Sequence, residues 1–379
     1  MIVLMAPRLG FQGGVERHVF DLARGLRDRG HRVGLVHAPL HGRDPEGYAA
    51  AFDVVVDDTA AAPLLRDASV VYGHKHHPEH LLDLVPSRAR LVIAVHDHDF
   101  TCVRSHRYLP LSRTPCHAAP GVACVVHGCT VVRDRSVRAG FRLADPFALA
   151  RATRALSERA TFVAGSAYLR KSQLDAGVRP DRVVVIHPVP PEDASPLTPI
   201  PQEPIAVFAG QIIRGKGLDL LLRAAATLPS LKVLVAGDGN DMPFVSGLVD
   251  ELGLRGRVEF LGPMPPDRMR DLYDRARVVV VPSRWPEPFG MVGVEAMRRR
   301  RTVVAAWHGG IPEWLAHGET GFGFRPGDAD DLGVMLERAV APGDNERMAE
   351  AGHRRAAAGF RFETMIEQIE RVLGVAPPR

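Results

Sequence analysis

The 379-residue sequence predicts an α/β chain of two doubly wound, Rossmann-like domains. Three observations predict it. Short β-branched runs alternate with helical stretches along the whole length, the pattern of βα units whose parallel sheets are buried on both faces. Seven prolines fall within residues 188–204, at 188, 190, 191, 196, 199, 201 and 204, and such a run continues neither ladder nor helix. The alternation restarts after them, in a chain long enough for two or three domains of roughly 150 residues.

In the first half, strands are expected at Ile2-Val3-Leu4, 32–37, 69–72, 91–95 and 183–186. In the second they are expected at 205–208, 232–236, 257–261, 278–281 and 302–305. Helical patterns follow over 330–341, 345–358 and 360–373, where Phe362, Met365, Ile366, Ile369, Val372 and Leu373 keep an i, i+3/4, i+7 spacing. The expected organisation is a domain over 1–190 with an insertion at 97–145, a second over 205–359, and a terminal helix over 360–379 that packs back on the first. The insertion carries few periodic signals, and a loop of that length in a compact domain is usually functional or metal-organised.

Composition is that of an ordinary globular chain: 46% hydrophobic, 24% charged and 6% aromatic, which excludes disordered and fibrous classes. Apolar stretches are strand-length, as in Val278 to Val281, far short of the roughly 20 residues that span a bilayer. The first six residues lack a basic leader and meet Pro7-Arg8 at once, so they read as a strand rather than a signal peptide, and a cytoplasmic protein is expected. Of 48 basic residues only Lys75, Lys171, Lys216 and Lys232 are lysine, and the net charge is +4. No Arg stripe with stacked aromatics accompanies it, so no nucleic-acid partner is expected. Divided at residue 190 the charge is +7 before and −3 after, which favours an anionic acceptor or peripheral contact with the inner membrane face.

Three turns carry the chemistry. Gly13-Gly14-Val15-Glu16 lies between the first strand and a helix with Val19, Leu22, Ala23 and Leu26 on its apolar face. Two glycines admit close backbone approach, and the helix start behind them offers unpaired N–H groups to an anion. Gly210 to Gly217 also joins a strand to a helix, and Arg214 and Lys216 suit a diphosphate. Glu287-Pro288-Phe289-Gly290-Met291-Val292, with Glu295 eight residues beyond Glu287, follows the strand 278–281. If a helix starts near Phe289, the two carboxylates lie about 12 Å apart along it, each able to accept paired hydroxyls.

Together these turns resemble a family 4 retaining glycosyltransferase of GT-B fold. The resemblance covers nearly the whole chain. It implies a cleft between the domains, a nucleotide-sugar (UDP, GDP or ADP type) on the second and an acceptor on the first. By motif, Glu295 holds the donor ribose and Glu287 the sugar hydroxyls, with the amides of Phe289, Gly290, Met291 and Val292 near sugar and phosphate. Lys216, with Arg214 beside it, neutralises the leaving diphosphate, Gly13 and Gly14 close over it, and His96 in Val-His-Asp meets the donor sugar. Glu16 and Arg17 are candidates on the acceptor side. Catalysis then needs His96, Glu287 and Lys216 but no cofactor. One departure is Gln211, where the family often has Arg.

Cys102, Cys116, Cys124 and Cys129 fall within 28 residues. In a cytosolic enzyme disulfides are disfavoured and four cysteines suit a structural zinc, although no Cys-x-x-Cys pair is present. Asp97-His98-Asp99 imitates a metal-binding Asp-x-Asp, and His74, His76, His77 and His80 are read as a loop at a strand end. Arg133, Arg135, Arg138 and Arg142 read as a solvated basic face, and Arg298 to Arg301 as a helix end satisfied by its dipole. The expected function is sugar transfer with retention to an unidentified glycan, lipid or natural product. The alternatives are an epimerase or phosphorylase of the same fold, or a nucleotide-sugar-binding protein without turnover.

Overall fold

The structure is a computed structural model that describes residues 1–75, 79–133 and 140–376. It divides into two units, Met1–Pro191 with Phe362–Arg379, and Glu192–Arg361.

In the first unit the strands are β1 (Ile2–Ala6), β2 (Val33–His37), β3 (Val54–Asp57), β4 (Val70–His74), β5 (Arg90–Val95), β6 (Val131–Arg133), β7 (Phe141–Leu143), β8 (Ala160–Ala164) and β9 (Val183–Val185). Seven of them form one parallel sheet in the order β3-β2-β1-β4-β5-β8-β9. All five residues of β1 are buried, as expected for a central strand covered on both faces. The order reverses between β1 and β4, so the ends of these two strands flank the switch point where such sheets hold ligands. The helix Gly14–Asp28 buries Val19, Leu22, Ala23 and Leu26.

The insertion is less irregular than the sequence suggests: it holds a short helix, Val122–Val126, and the antiparallel hairpin β6-β7. Its periodic signal is weak because its apolar residues point outward; Val122, Val126 and Leu143 are 68%, 73% and 84% exposed. The helix Phe362–Leu373 belongs to this first unit and packs on Gly14–Asp28, where Gly25 leaves room for Ile366 and Phe362. Glu370 fixes it, accepting from His31 Nε2 at 2.7 Å and from Arg29 Nε at 3.0 Å.

The second unit adds β10 (Ile205–Ala209), β11 (Lys232–Ala236), β12 (Val258–Gly262), β13 (Val278–Val281), β14 (Thr302–Ala306) and β15 (Gly321–Phe324). They form a parallel sheet in the order β12-β11-β10-β13-β14-β15, with the switch point between β10 and β13. The helix Asp344–Gly359 stays with this unit, so only the last of the terminal helices joins the first.

Arg298 to Arg301 require more than a helix dipole. The Arg299 guanidinium forks onto Asp274 and donates to the carbonyls of Ser195 and Pro196 at 3.1 and 3.0 Å. Arg301, fully buried, donates to Thr198 Oγ1 at 2.5 Å and to the Pro199 carbonyl. A proline-rich extended segment cannot pair its own carbonyls, and these arginines satisfy them. Burial lowers the Arg301 pKa to about 10. Among the described residues no helix is long and apolar enough to cross a membrane.

Candidate active site

The second-unit candidates come from the two strands that flank its switch point. After β10 the chain passes through a 3-10 turn, Arg214–Lys216, and Gly217 takes a left-handed φ of 71° before the helix Leu218–Ala226. A Cβ at Gly217 would overlap the Pro282 carbonyl, so this turn is pressed against the segment that follows β13. The Lys216 ammonium therefore reaches the Glu287 carboxylate, Nζ to Oε1 at 2.6 Å. Ser283 donates to the same oxygen.

Glu287 is only 4% exposed. Burial pushes its carboxyl up, but Lys216, Ser283 and the nearby His308 outweigh that and hold it below its usual range. The result is a fixed, buried carboxylate. Gly290 (φ 89°) caps the helix Met291–Arg298, which starts two residues later than the sequence suggests; Pro288 and Phe289 precede it in the loop. The Phe289 carbonyl accepts from the Trp314 indole at 2.6 Å. The amides of Met291 and Val292 stand at the helix start, an arrangement suited to anions. Glu295 is half-buried one helical face further on and accepts from Tyr273 Oη at 2.6 Å.

Arg214 is engaged by a neighbour: its fork meets Asp241 at 2.9 and 3.1 Å, and its guanidinium lies 3.9 Å from the Phe244 ring centre. Gln211 is exposed. The three motifs do not include Ser283 or the turn Gly309-Gly310, where a Cβ at either glycine would strike the backbone of residues 286–289. The signal was available, since His308-Gly309-Gly310-Ile311-Pro312 follows a strand as the other turns do.

In the first unit, Gly13 and Gly14 follow β1 and start a helix at the switch point. Glu16 caps that helix, accepting from Gly13 N at 3.0 Å, and pairs with Arg8 at 3.3 Å. Arg17 pairs with Asp21 at 2.6 Å. Both acceptor-side candidates thus have structural partners. His96, just past β5, lies 2.9 Å from His74 (Nε2 to Nδ1), and His18 sets its ring edge-on to His96. Burial lowers the His18 pKa to about 4, so the ring is neutral. Lys75 bridges Asp97 and Asp99, a lysine ammonium where the sequence imitates a metal motif. Burial and the Asp99 charge push Asp97 up to about 6 despite Lys75. His76, His77, Arg135 and Arg138 lie outside the described residues; Arg142 is exposed on β7.

Cys102, Cys116, Cys124 and Cys129 are free thiols that line one small cavity. As the side chains stand, no group of three or more His, Cys, Asp or Glu among the described residues could hold a metal ion.

Residues 12–189 match the family described as Glycosyltransferase Family 4, and residues 191–355 match that described as Glycosyl transferases group 1. The chain belongs to the family 4 glycosyltransferases. It is 28% identical to the D-inositol 3-phosphate glycosyltransferase of Mycobacterium sp. (strain JLS), over 90% of this chain and 80% of that protein. A shorter match to the Nocardia farcinica (strain IFM 10152) protein of the same name is 38% identical over 44% of this chain and 39% of the relative. Among solved structures, Anabaena Alr3699/HepE in complex with UDP-glucose matches with a TM-score of 0.76 and 21% identity, over 99% of both chains. The family 4 assignment and this match give the chain the GT-B fold, with its two parallel-sheet α/β units.

Proposed function

We propose that this chain transfers a sugar, with retention of anomeric configuration, from a UDP-sugar to a hydroxyl of a small polar acceptor. The observation that carries the reading is the Lys216–Glu287–Ser283 cluster, built on a buried carboxylate at the switch point of the second sheet, beside the start of the helix Met291–Arg298. The complex of Alr3699/HepE with UDP-glucose supports a UDP-sugar as the donor, and the name of the relatives makes a phosphorylated cyclitol the first acceptor to try.

The roles follow from chemistry. Glu287, held anionic, accepts hydrogen bonds from sugar hydroxyls, and Glu295 accepts from the ribose. The Lys216 ammonium and the amides at the helix start stabilise the diphosphate as charge builds on it. The bond from the anomeric carbon to the phosphate oxygen breaks, the acceptor oxygen bonds to the same face, and its proton passes to the departing phosphate. His96 takes the donor-sugar role given by the family resemblance. The protein supplies orientation and electrostatics, with no protein nucleophile.

A thermal-shift series with UDP-, GDP- and ADP-sugars tests the donor, and proton NMR of the product tests retention. Stabilisation by UDP-sugars and an unchanged anomeric configuration are expected. No shift with any nucleotide-sugar overturns the donor site, and an inverted product overturns the mechanism.

A further inference from the structure

We propose that Cys102, Cys116, Cys124 and Cys129 bind one zinc ion, which holds the 97–145 excursion in its fold. The thiols arrive from three places in the chain: the segment after β5, the residue after the Tyr108–Pro115 bridge, and the helix Val122–Val126 with its exit at Cys129. All four line a cavity of about 10 Å³, together with Arg107 and Tyr108. That is space for one small sphere, too little for an organic ligand. A set of four thiolates is the ligand set of tetrahedral structural zinc.

Backbone hydrogen bonds fix the approach of the segments. Cys129 N donates to the Cys124 carbonyl at 2.8 Å, Cys116 N to the Arg107 carbonyl at 2.7 Å, and Ser105 N to the Cys102 carbonyl at 2.9 Å. The sulfurs do not meet at one point as they stand. Ligation therefore requires rotation of the thiols between staggered χ1 wells about these fixed backbone positions.

Charge gives an independent reason. Arg107 is 2% exposed on the same cavity. Its Nη2 donates to the Ala118 carbonyl at 3.2 Å, its Nε has no partner, and no carboxylate among the described residues pairs with it. A buried guanidinium without a counter-charge is costly. A bound zinc ion would supply it: the four thiols would release their protons to water on ligation, and a zinc tetrathiolate would carry two negative charges beside Arg107.

Stability gives the third reason. The buried apolar cluster of this region is Val103, Cys129 and Ala144, with a few half-buried neighbours, while Val122, Val126 and Leu143 face solvent. Ser105, Arg107 and Arg113 nevertheless hold left-handed φ angles of 63°, 47° and 54°. Such conformations persist only where the surroundings over-determine them, and a core this thin needs a staple.

The test is metal analysis of the full chain purified from zinc-supplied cells without chelator. Roughly one zinc per chain is expected. Titration with a mercurial should release that zinc in step with loss of four thiols, a readout that needs no variant and no transferase assay. Cobalt in its place should show strong thiolate-to-metal absorption and tetrahedral d–d bands. Cys102→Ser with Cys129→Ser should lower metal content at least fivefold. Four thiols that titrate freely in metal-poor native protein, iron in place of zinc, or zinc retained by the double variant would each overturn the proposal.

Discussion

Lys216 and Glu287 are 71 positions apart in the chain and 2.6 Å apart in space, the ammonium meeting a carboxylate that is almost wholly buried. The Glu287 carboxyl titrates below its ordinary 4.5 in the folded protein, so the folded state holds fewer protons there than the unfolded chain. Its contribution to stability is complete above about pH 4.5 and is lost as pH falls through the folded value.

Lys216→Met leaves the buried carboxylate without its cation, and burial then raises its pKa. The expected cost is about 2 kcal/mol at pH 7, below the range for wholly buried pairs because Lys216 is partly exposed. The cost shrinks with acid, because the carboxyl left buried without its cation takes up a proton more readily as pH falls from 7 to 4. Thermal melts at the two pH values check this, and an equal deficit at both would remove Lys216 from the account.

Gly309 holds a φ of 64° with no room for a Cβ beside the Glu287 backbone, whereas Gly318, at φ 79°, has open space around it. Gly309→Ala and Gly318→Ala both force a side chain into the left-handed region, each at about 1–2 kcal/mol. Only the first displaces Glu287. Donor KM should rise about tenfold or more in Gly309→Ala and stay near wild type in Gly318→Ala. Parallel kinetics would show that the turn only supports folding.

Asp97 runs the opposite way in pH. Burial and the Asp99 charge raise its pKa from 3.8 to about 6, so the folded state binds the extra proton. Stability is lost as pH rises from about 4 through 6, with the full cost above that window. Asp97→Asn keeps an acceptor for the Asp99 amide, now 2.9 Å from Asp97 Oδ1, while removing the charge. The variant should gain in melting temperature relative to wild type at pH 8 compared with pH 4. A relative loss at pH 8 would mean that the Lys75 ion pair outweighs burial.

The parallel strands and the three glycine-marked turns were legible because β-branched runs, backbone demands and helix starts leave local signatures. β3, β8 and β15 were not marked out; β15, Gly321-Phe322-Gly323-Phe324, is half glycine and shows no β-branched run. Partners remote in sequence were invisible for a different reason. Asp241 for Arg214, Tyr273 for Glu295 and the linker carbonyls for Arg299 and Arg301 are set by folding, not by spacing. Spacing alone therefore explains the arginine run at 298–301 as a helix end satisfied by its dipole, whereas Arg299 and Arg301 are buried.

The membership of Phe362–Leu373 in the first unit has a consequence for synthesis. Residues 192–361 leave the ribosome as a finished unit while the first still lacks its last helix. Until then the Gly25 face of the helix Gly14–Asp28 is open to water, and Glu370 has not reached Arg29, 341 residues earlier. Closing so long a loop is a late and slow event. A nascent chain cut between residues 361 and 370 should thus carry a sealed second half and an unsealed first, which marks the earlier-made domain as the one that most needs chaperone cover.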